Sequence, residues 1–283
     1  MSKLYIGIDI GGTSIVSARF SESEMLEKKE VPTGADRPAE QIMESLYEAI
    51  EMVLTDEVVG IGIGMPGFMN VETGEILQIN NIPSFNGFAI KPRVEEKFKL
   101  PSFQNNDANC FALGETYYGA GKKYNNLVGV TLGTGLGGGI ILDRKIHTGL
   151  MGGAGELGCV PFHGGISEDI CSAALFKNKY QTTGKKLYKK AKAGDKDSIA
   201  VFDELAHNIG ELLRMVTYVL APEAFIIGGS VANSWDLLEK TLREDLDSKF
   251  LAPMISKKVD LVRAELDNAG LYGAAALCIS QMS

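Results

Sequence analysis

A layered α/β protein built from a duplicated unit is what this sequence predicts. Three observations carry that expectation. Stretches patterned as strands alternate with stretches patterned as helices along the chain. A glycine-turn hairpin near the start, YIGIDIGGTSIVSARF, returns as a near copy in LVGVTLGTGLGGGIILD. Laid over one another, the copies bring Val128 onto Ile6, Gly129 onto Gly7 and Gly133 onto Gly11, and such self-similarity marks a duplication.

The elements follow in chain order. LYIGIDI, GGTS and IVSARF read as a strand, a tight turn and a returning strand. Residues 38–54 place Ile42, Leu46, Ile50 and Val53 on one helical face, with acids opposite. VVGIGIGMPG (58–67) reads as a buried strand ending in a Pro-Gly loop. Residues 90–98 form a short charged helix, and LPSFQNNDAN (100–109) is a strand running into a polar loop, with a helix starting at CFALGETYYG (110–119). The second hairpin comes next, and SIAVFDELAHNIGELLRMVTYVLAPEA then forms a long helix stopped by Pro222. FIIGGSVA (225–232) is a buried strand ending in glycines, followed by a helix from about Trp235, and LDNAGLYGAAALCIS closes as an Ala-rich helix. No linker or charge block separates domains, so the boundary follows the repeat. Residues 1–108, joined by a returning helix at about 274–283, form one lobe, and residues 109–273 form the other.

Bulk properties narrow the function classes. The 283 residues allow two domains with real cores, at 45% hydrophobic and 23% charged residues. A net charge of −8 with no basic run argues against nucleic acid or an anionic membrane as partner. No apolar run approaches the roughly 20 residues of a membrane span. MSKLYIGID enters strand patterning at once, with no room for a signal peptide, and the four cysteines form no CxxC pair. Both features point to a reducing cytoplasm.

The second glycine loop carries a false lead. Gly133, Gly135 and Gly138 spell GxGxxG, with Glu156 about twenty residues on, as in a dinucleotide-binding turn. That fingerprint needs a helix after the glycines, and GIILDRKIHTGLMGGAG cannot sustain one. No GK[ST] follows either, so the P-loop reading also fails. What remains is a hairpin whose glycines admit an anion close to backbone N–H groups. One such loop is most simply a structural turn; two, each carrying a threonine (Thr13, Thr134), suggest a pair of phosphate clamps.

Several carboxylates stand near these loops. Asp9 could position Mg²⁺, which keeps most of its waters, or could simply bond turn amides. Asp107, flanked by Asn106 and Asn109, could cap the following helix or accept a proton from a bound hydroxyl. The neighbouring amides suit the donor and acceptor pattern of a polyol. Glu156 lies between glycines in GGAGELG and Glu168 follows a loop at SEDICS, either solvated or reaching a ligand. His147, His163 and His207 show no metal-ligand spacing, and Cys159, His163 and Cys171 match no zinc pattern.

Taken together, these stretches resemble the ROK family of sugar kinases and repressors, within the actin/hexokinase-like (ribonuclease H-like) ATPase fold. The resemblance covers essentially the whole chain. IGIDIGGT (6–13) and VTLGTGLGGGII are similar to the family's two phosphate motifs, and GIGMPGF (62–68) to its GxPG segment. NIPSFNG and QNNDAN resemble its sugar-side stretch and catalytic Asp motif, GELG its ExGH region, and IIGGSVA its adenosine motif.

The resemblance implies a two-lobed ATP-dependent kinase acting on glucose or a close relative, with Mg²⁺, as a homodimer. It makes Asp107 the base, and assigns Gly67, Asn81, Asn106, Glu156 and Glu168 to the sugar. Asp9 would hold Mg²⁺ through water, while Gly11, Gly12 and Thr13, with Gly133, Thr134 and Gly135, cradle phosphates; Gly228 and Gly229 would meet the adenosine. An N-acetylhexosamine kinase, particularly for N-acetylmannosamine, and a non-catalytic sugar sensor are the alternatives. Two departures stand out. Cys159 replaces the ExGH histidine, and the CxCGxxGC zinc loop is shortened to FHGGIS. No structural zinc is therefore expected, and packing must hold that loop. The repressor branch's helix-turn-helix is also missing ahead of the first hairpin.

Overall fold

Alternation along two strands decides how the first sheet is covered. In the computed structural model, which describes residues 3–248 and 250–282, strand β1 (Leu4–Ile10) pairs antiparallel with β2 (Ser14–Phe20), and β2 with β3 (Met25–Pro32). Helix α1 (Ala39–Glu51) then leads to β4 (Val58–Met65), parallel to β1. A small hairpin of β5 (Phe68–Asn70) and β6 (Glu75–Gln78) precedes α2 (Lys91–Phe98), β7 (Ser102–Asn106), parallel to β4, and α3 (Asp107–Tyr118). Ile6, Ile8 and Ile10 of β1 and Ile61, Ile63 and Met65 of β4 share a core with Ile42, Leu46 and Ile50 of α1. The opposite face of β4 presents Gly60, Gly62 and Gly64.

That bare face admits helices at backbone distance. Strand β8 (Leu127–Leu132) and β9 (Leu136–Leu142) form the second glycine hairpin, continued by β10 (Lys145–Ile146). After the hairpin of β11 (Pro161–Phe162) and β12 (Gly165–Ile166) come α4 (Ser167–Cys171), α5 (Ala174–Asn178), α6 (Gly184–Lys192) and the long α7 (Lys196–Leu220). Strand β13 (Ala224–Gly228), α8 (Trp235–Ser248), α9 (Pro253–Ser256), β14 (Asp260–Arg263) and α10 (Ala269–Met282) complete the chain. A Cβ on Gly62 would strike the Ala274 carbonyl of α10, and one on Gly273 the Cys110 carbonyl of α3. Glycine at these positions is what lets α10 lie on β4 and against α3.

Both large sheets have the same order of parts. The first runs β3-β2-β1-β4-β7 and the second β10-β9-β8-β13-β14. In each, a glycine hairpin supplies the middle strand and its neighbour, and two later parallel strands extend the other side. The expected duplication is present. By packing, the described chain divides into two units. One comprises the residues up to Lys123, Gly139–Ala154 and those from Glu265 onward; the other comprises Tyr124–Gly138 and Gly155–Ala264. The first grouping includes α3 and all of α10, where the sequence repeat suggests a division at residue 108. In the second unit, Phe225 and Ile227 of β13 pack with Phe202, Leu205 and Ile209 of α7 and Leu238 and Leu242 of α8.

One expected element is corrected. Residues 107–109 are not a polar loop: α3 starts at Asp107, because the Asn106 side chain accepts the Asn109 N–H at 2.8 Å and caps the helix there. Helix α7 ends as the sequence suggests, at Leu220, with Ala221 left-handed (φ 43°) before Pro222. Among the described residues no helix is long and apolar enough to cross a membrane.

Candidate active site

Several of the residues singled out from the sequence lie at the carboxyl ends of parallel strands, where open α/β sheets place their ligands. In the first unit Asp9 is the penultimate residue of β1, Gly67 follows β4, and Asp107 follows β7. Burial pushes the Asp9 carboxyl up to about 6, and the negative charge of Asp107 adds to the rise. Asp107 reaches solvent, yet desolvation by surrounding protein still raises its carboxyl, opposed by a hydrogen bond from the Ala108 N–H at 2.9 Å. The capping role open to Asp107 belongs instead to Asn106. Asp107 is therefore available for other chemistry, while the Asn106 oxygen is already engaged.

The first glycine turn sits beside the sugar-side stretch. Gly11 N–H donates to the Ser14 carbonyl at 2.9 Å and closes the turn. A Cβ on Gly12 would stand 3.2 Å from the Asn81 carbonyl and 3.3 Å from its Cβ, so Asn81, itself exposed, flanks the turn. Gly67 has φ 100°, and a side chain there would meet the Gln78 carbonyl. Its glycine is thus demanded by backbone geometry as well.

The second unit holds the other turn. Gly133 N–H donates to the Gly135 carbonyl at 2.9 Å, and a Cβ on Gly133 would meet no protein atom. Protein packing therefore does not require glycine there, which leaves room for a ligand against the backbone. A Cβ on Gly135 would strike the Glu168 Oε2, so this carboxylate lies directly against the turn. Glu168 stands in the first turn of α4, half-buried, and its Oε2 accepts the Leu136 N–H at 3.0 Å. It is not simply solvated. Gly228 ends β13 opposite Thr131 of β8, and Gly229, at φ 84°, passes so close to Leu132 that no side chain fits.

The shortened loop between Glu156 and Glu168 is held by packing and hydrogen bonds. Leu157 and Phe162 enter the core of the second unit. Ser167 N–H donates to the Val160 carbonyl at 2.9 Å, and its hydroxyl donates to the Leu157 carbonyl. Cys159 is exposed; partial burial raises its thiol, with Glu156 and Glu168 adding to the rise. His163 points to Glu211, at 3.1 Å. Among the described residues no cluster of three or more His, Cys, Asp or Glu side chains is arranged to hold a metal ion. A hydrated Mg²⁺ asks for less. Asp9, a carboxylate whose charge the protein disfavours and whose neighbour repels it, fits a site completed by a cation that keeps its waters.

Two residues escaped the sequence reading. Thr33, fully buried, binds two carbonyls of the first turn. Ser172, equally buried, donates to the Glu168 carbonyl at 2.7 Å and the Thr134 carbonyl at 3.3 Å, while the Ala173 N–H reaches the Gly133 carbonyl at 3.0 Å. Both lie in stretches without glycine-loop patterning, so no local signal marks them.

The ROK family profile matches residues 5–281. The chain belongs to the ROK family. Among similar proteins, a glucokinase of Halalkalibacterium halodurans is 32% identical, with 98% of this chain and 95% of that protein covered. An N-acetyl-D-glucosamine kinase of Histophilus somni is 33% identical, over 98% of this chain and all of that one. The solved structure of a ROK family glucokinase from Streptomyces griseus, in complex with glucose and AMPPNP, superposes with a TM-score of 0.76 at 29% identity, covering 97% of this chain and 98% of that one. This ROK chain accordingly has the actin-like ATPase fold of the ROK hexokinases.

Proposed function

We propose that this ROK protein is an ATP-dependent sugar kinase that phosphorylates a hydroxyl of a hexose, glucose or a close relative. The observation that carries this is the state of Asp107: relieved of helix capping by Asn106, raised in pKa, and placed at the end of β7, with Asp9 at the end of β1 across the intervening β4 close enough to feel its charge. The names of the similar glucokinases support the same reading.

In this reading Asp107 accepts the proton of the attacking hydroxyl. The hydroxyl oxygen forms a bond to the γ-phosphorus as the bond to the β–γ bridging oxygen breaks, and ADP leaves with that electron pair. Gly67, Asn81, the Asn106 amide, Glu156 and Glu168 are assigned to the sugar's other hydroxyls. N–H groups of Gly11–Thr13 and Gly133–Gly135 are assigned to the phosphates, and Gly228 and Gly229 to the adenosine. Mg²⁺, held through water by Asp9, supplies neutralisation of phosphate charge when bound. The reading also implies a homodimeric protein of the cytoplasm; the net charge of −8 gives nucleic acid and anionic membranes no purchase. An N-acetylhexosamine is the second candidate substrate, favoured by the Histophilus somni relative.

Release of ADP from Mg-ATP across a panel of hexoses and N-acetylhexosamines tests this. Stimulation by glucose or a close relative, lost on Asp107→Asn, is expected. Silence with every sugar removes the kinase reading; undiminished turnover in D107N removes Asp107 as base. Stimulation by the N-acetylhexosamines alone moves the assignment to the second substrate class.

A further inference from the structure

The first glycine turn is gripped from behind by a residue with no place in the glycine motif. The Thr33 hydroxyl donates to the Gly11 carbonyl at 2.6 Å, and the Thr33 N–H donates to the Thr13 carbonyl at 3.0 Å. Thr33 follows β3 and is wholly buried. Its own carbonyl accepts Arg37 Nη2 at 2.6 Å, and the same nitrogen donates to Ser45 Oγ of α1 at 2.7 Å. The turn is thus tied through Thr33 and Arg37 to a helix packed in the core of its own unit.

The direction of these bonds matters more than their number. A trans peptide points its C=O and the following N–H to opposite sides. No cis peptide occurs among the described residues. Holding the Gly11 carbonyl toward Thr33 therefore turns the Gly12 N–H away from Thr33. Among the described residues, neither the Gly12 nor the Thr13 N–H finds a protein acceptor. The turn presents the Gly12 N–H outward because the Gly11 carbonyl is drawn inward, the arrangement that suits an anion.

We propose that Thr33, braced by Arg37, is a positioning residue for nucleotide phosphate binding, fixing the peptide planes of the first glycine turn. The proposal rests on the kinase reading and extends it to a side chain that touches no substrate. Thr33→Val tests it, because valine keeps the β-branched shape and the backbone N–H and removes only the hydroxyl donor. Thr33→Ser restores that donor.

Two measurements separate the outcomes. Titration calorimetry with Mg-AMPPNP reports nucleotide binding without turnover, and steady-state kinetics give separate KM values for ATP and sugar. In T33V the Kd for Mg-AMPPNP and the KM for ATP should rise by roughly three- to tenfold, the worth of one hydrogen bond, while the KM for sugar holds and T33S returns to near wild type. A merely structural role would lower the melting temperature and the active fraction while leaving both nucleotide constants alone; that result overturns the proposal, as does failure of T33S to rescue. Wild-type protein that binds no Mg-AMPPNP would overturn the phosphate-clamp reading itself.

Discussion

Asp9 and Asp107 do not titrate independently. Two effects disfavour charge on Asp9: its burial first, then the negative charge of Asp107. Removing the second charge in Asp107→Asn should lower the Asp9 carboxyl from about 6, a shift readable by NMR titration of a labelled side chain. The same displacement has a stability consequence with a definite sign. Asp9 titrates at about 6 in the folded chain against an ordinary value of 3.8, so the folded state holds the proton more tightly. The stability this contributes is present below pH 3.8 and is lost as pH rises through about 6. Asp9→Asn carries no such charge. It should melt above wild type at pH 7.5, by on the order of 2 kcal/mol, with the gap closing toward pH 4 and with phosphoryl transfer lost. A D9N variant less stable than wild type at neutral pH would contradict the burial argument.

Elements owe their placement to patterns of different visibility. Both glycine hairpins were legible, because period-two strands around small turn residues leave a local signature. So were α1, from its apolar face, α7, from its helical pattern and the Pro222 stop, and α10, from its alanine-rich composition. In VVGIGIGM the buried strand could be read, while the meaning of its glycines could not. Gly60 and Gly62 face α10, more than two hundred residues away, and Gly64 faces Cys110 of α3. Sequence spacing likewise could not tell whether Asn106 or Asp107 caps α3, nor that Glu168 accepts the N–H of Leu136, thirty-two residues earlier and next to the Gly135 turn. Such contacts depend on register and packing. The close approach of α10 and α3 yields a prediction at this scale. Gly273→Ala drives a methyl into the Cys110 carbonyl and should cost about 1–3 kcal/mol, measured by urea unfolding. An unchanged midpoint would mean that the two helices separate easily.

The whole molecule repeats one plan twice and assigns different work to each copy. The first copy carries the carboxylate pair at its strand ends, Asp9 and Asp107. At the position of Asp9 the second copy has Thr131, so the acid was not duplicated with the hairpin. What it retains is the glycine turn, braced by Ser172 and Glu168 instead of Thr33. If both turns receive phosphates, Mg-AMPPNP should protect the entire chain. At a hundredfold excess over its Kd the gain is about 2.7 kcal/mol, seen as a raised melting temperature in D107N, where turnover is expected to be lost. No protection in D107N at that excess would contradict the assignment.

The bare glycine face of β4 also dictates a timetable. Tyr5 and Phe20, near the start of the chain, share their small core with Leu271, Ala275 and Cys278 of α10. During synthesis the ribosome delivers the sheet long before the helix that covers it. Until residues 269–282 emerge, one side of that sheet stays wet and apolar. The first unit to be made is therefore the last that can close its core, and a nascent chain halted before α10 exposes the surface a chaperone would hold.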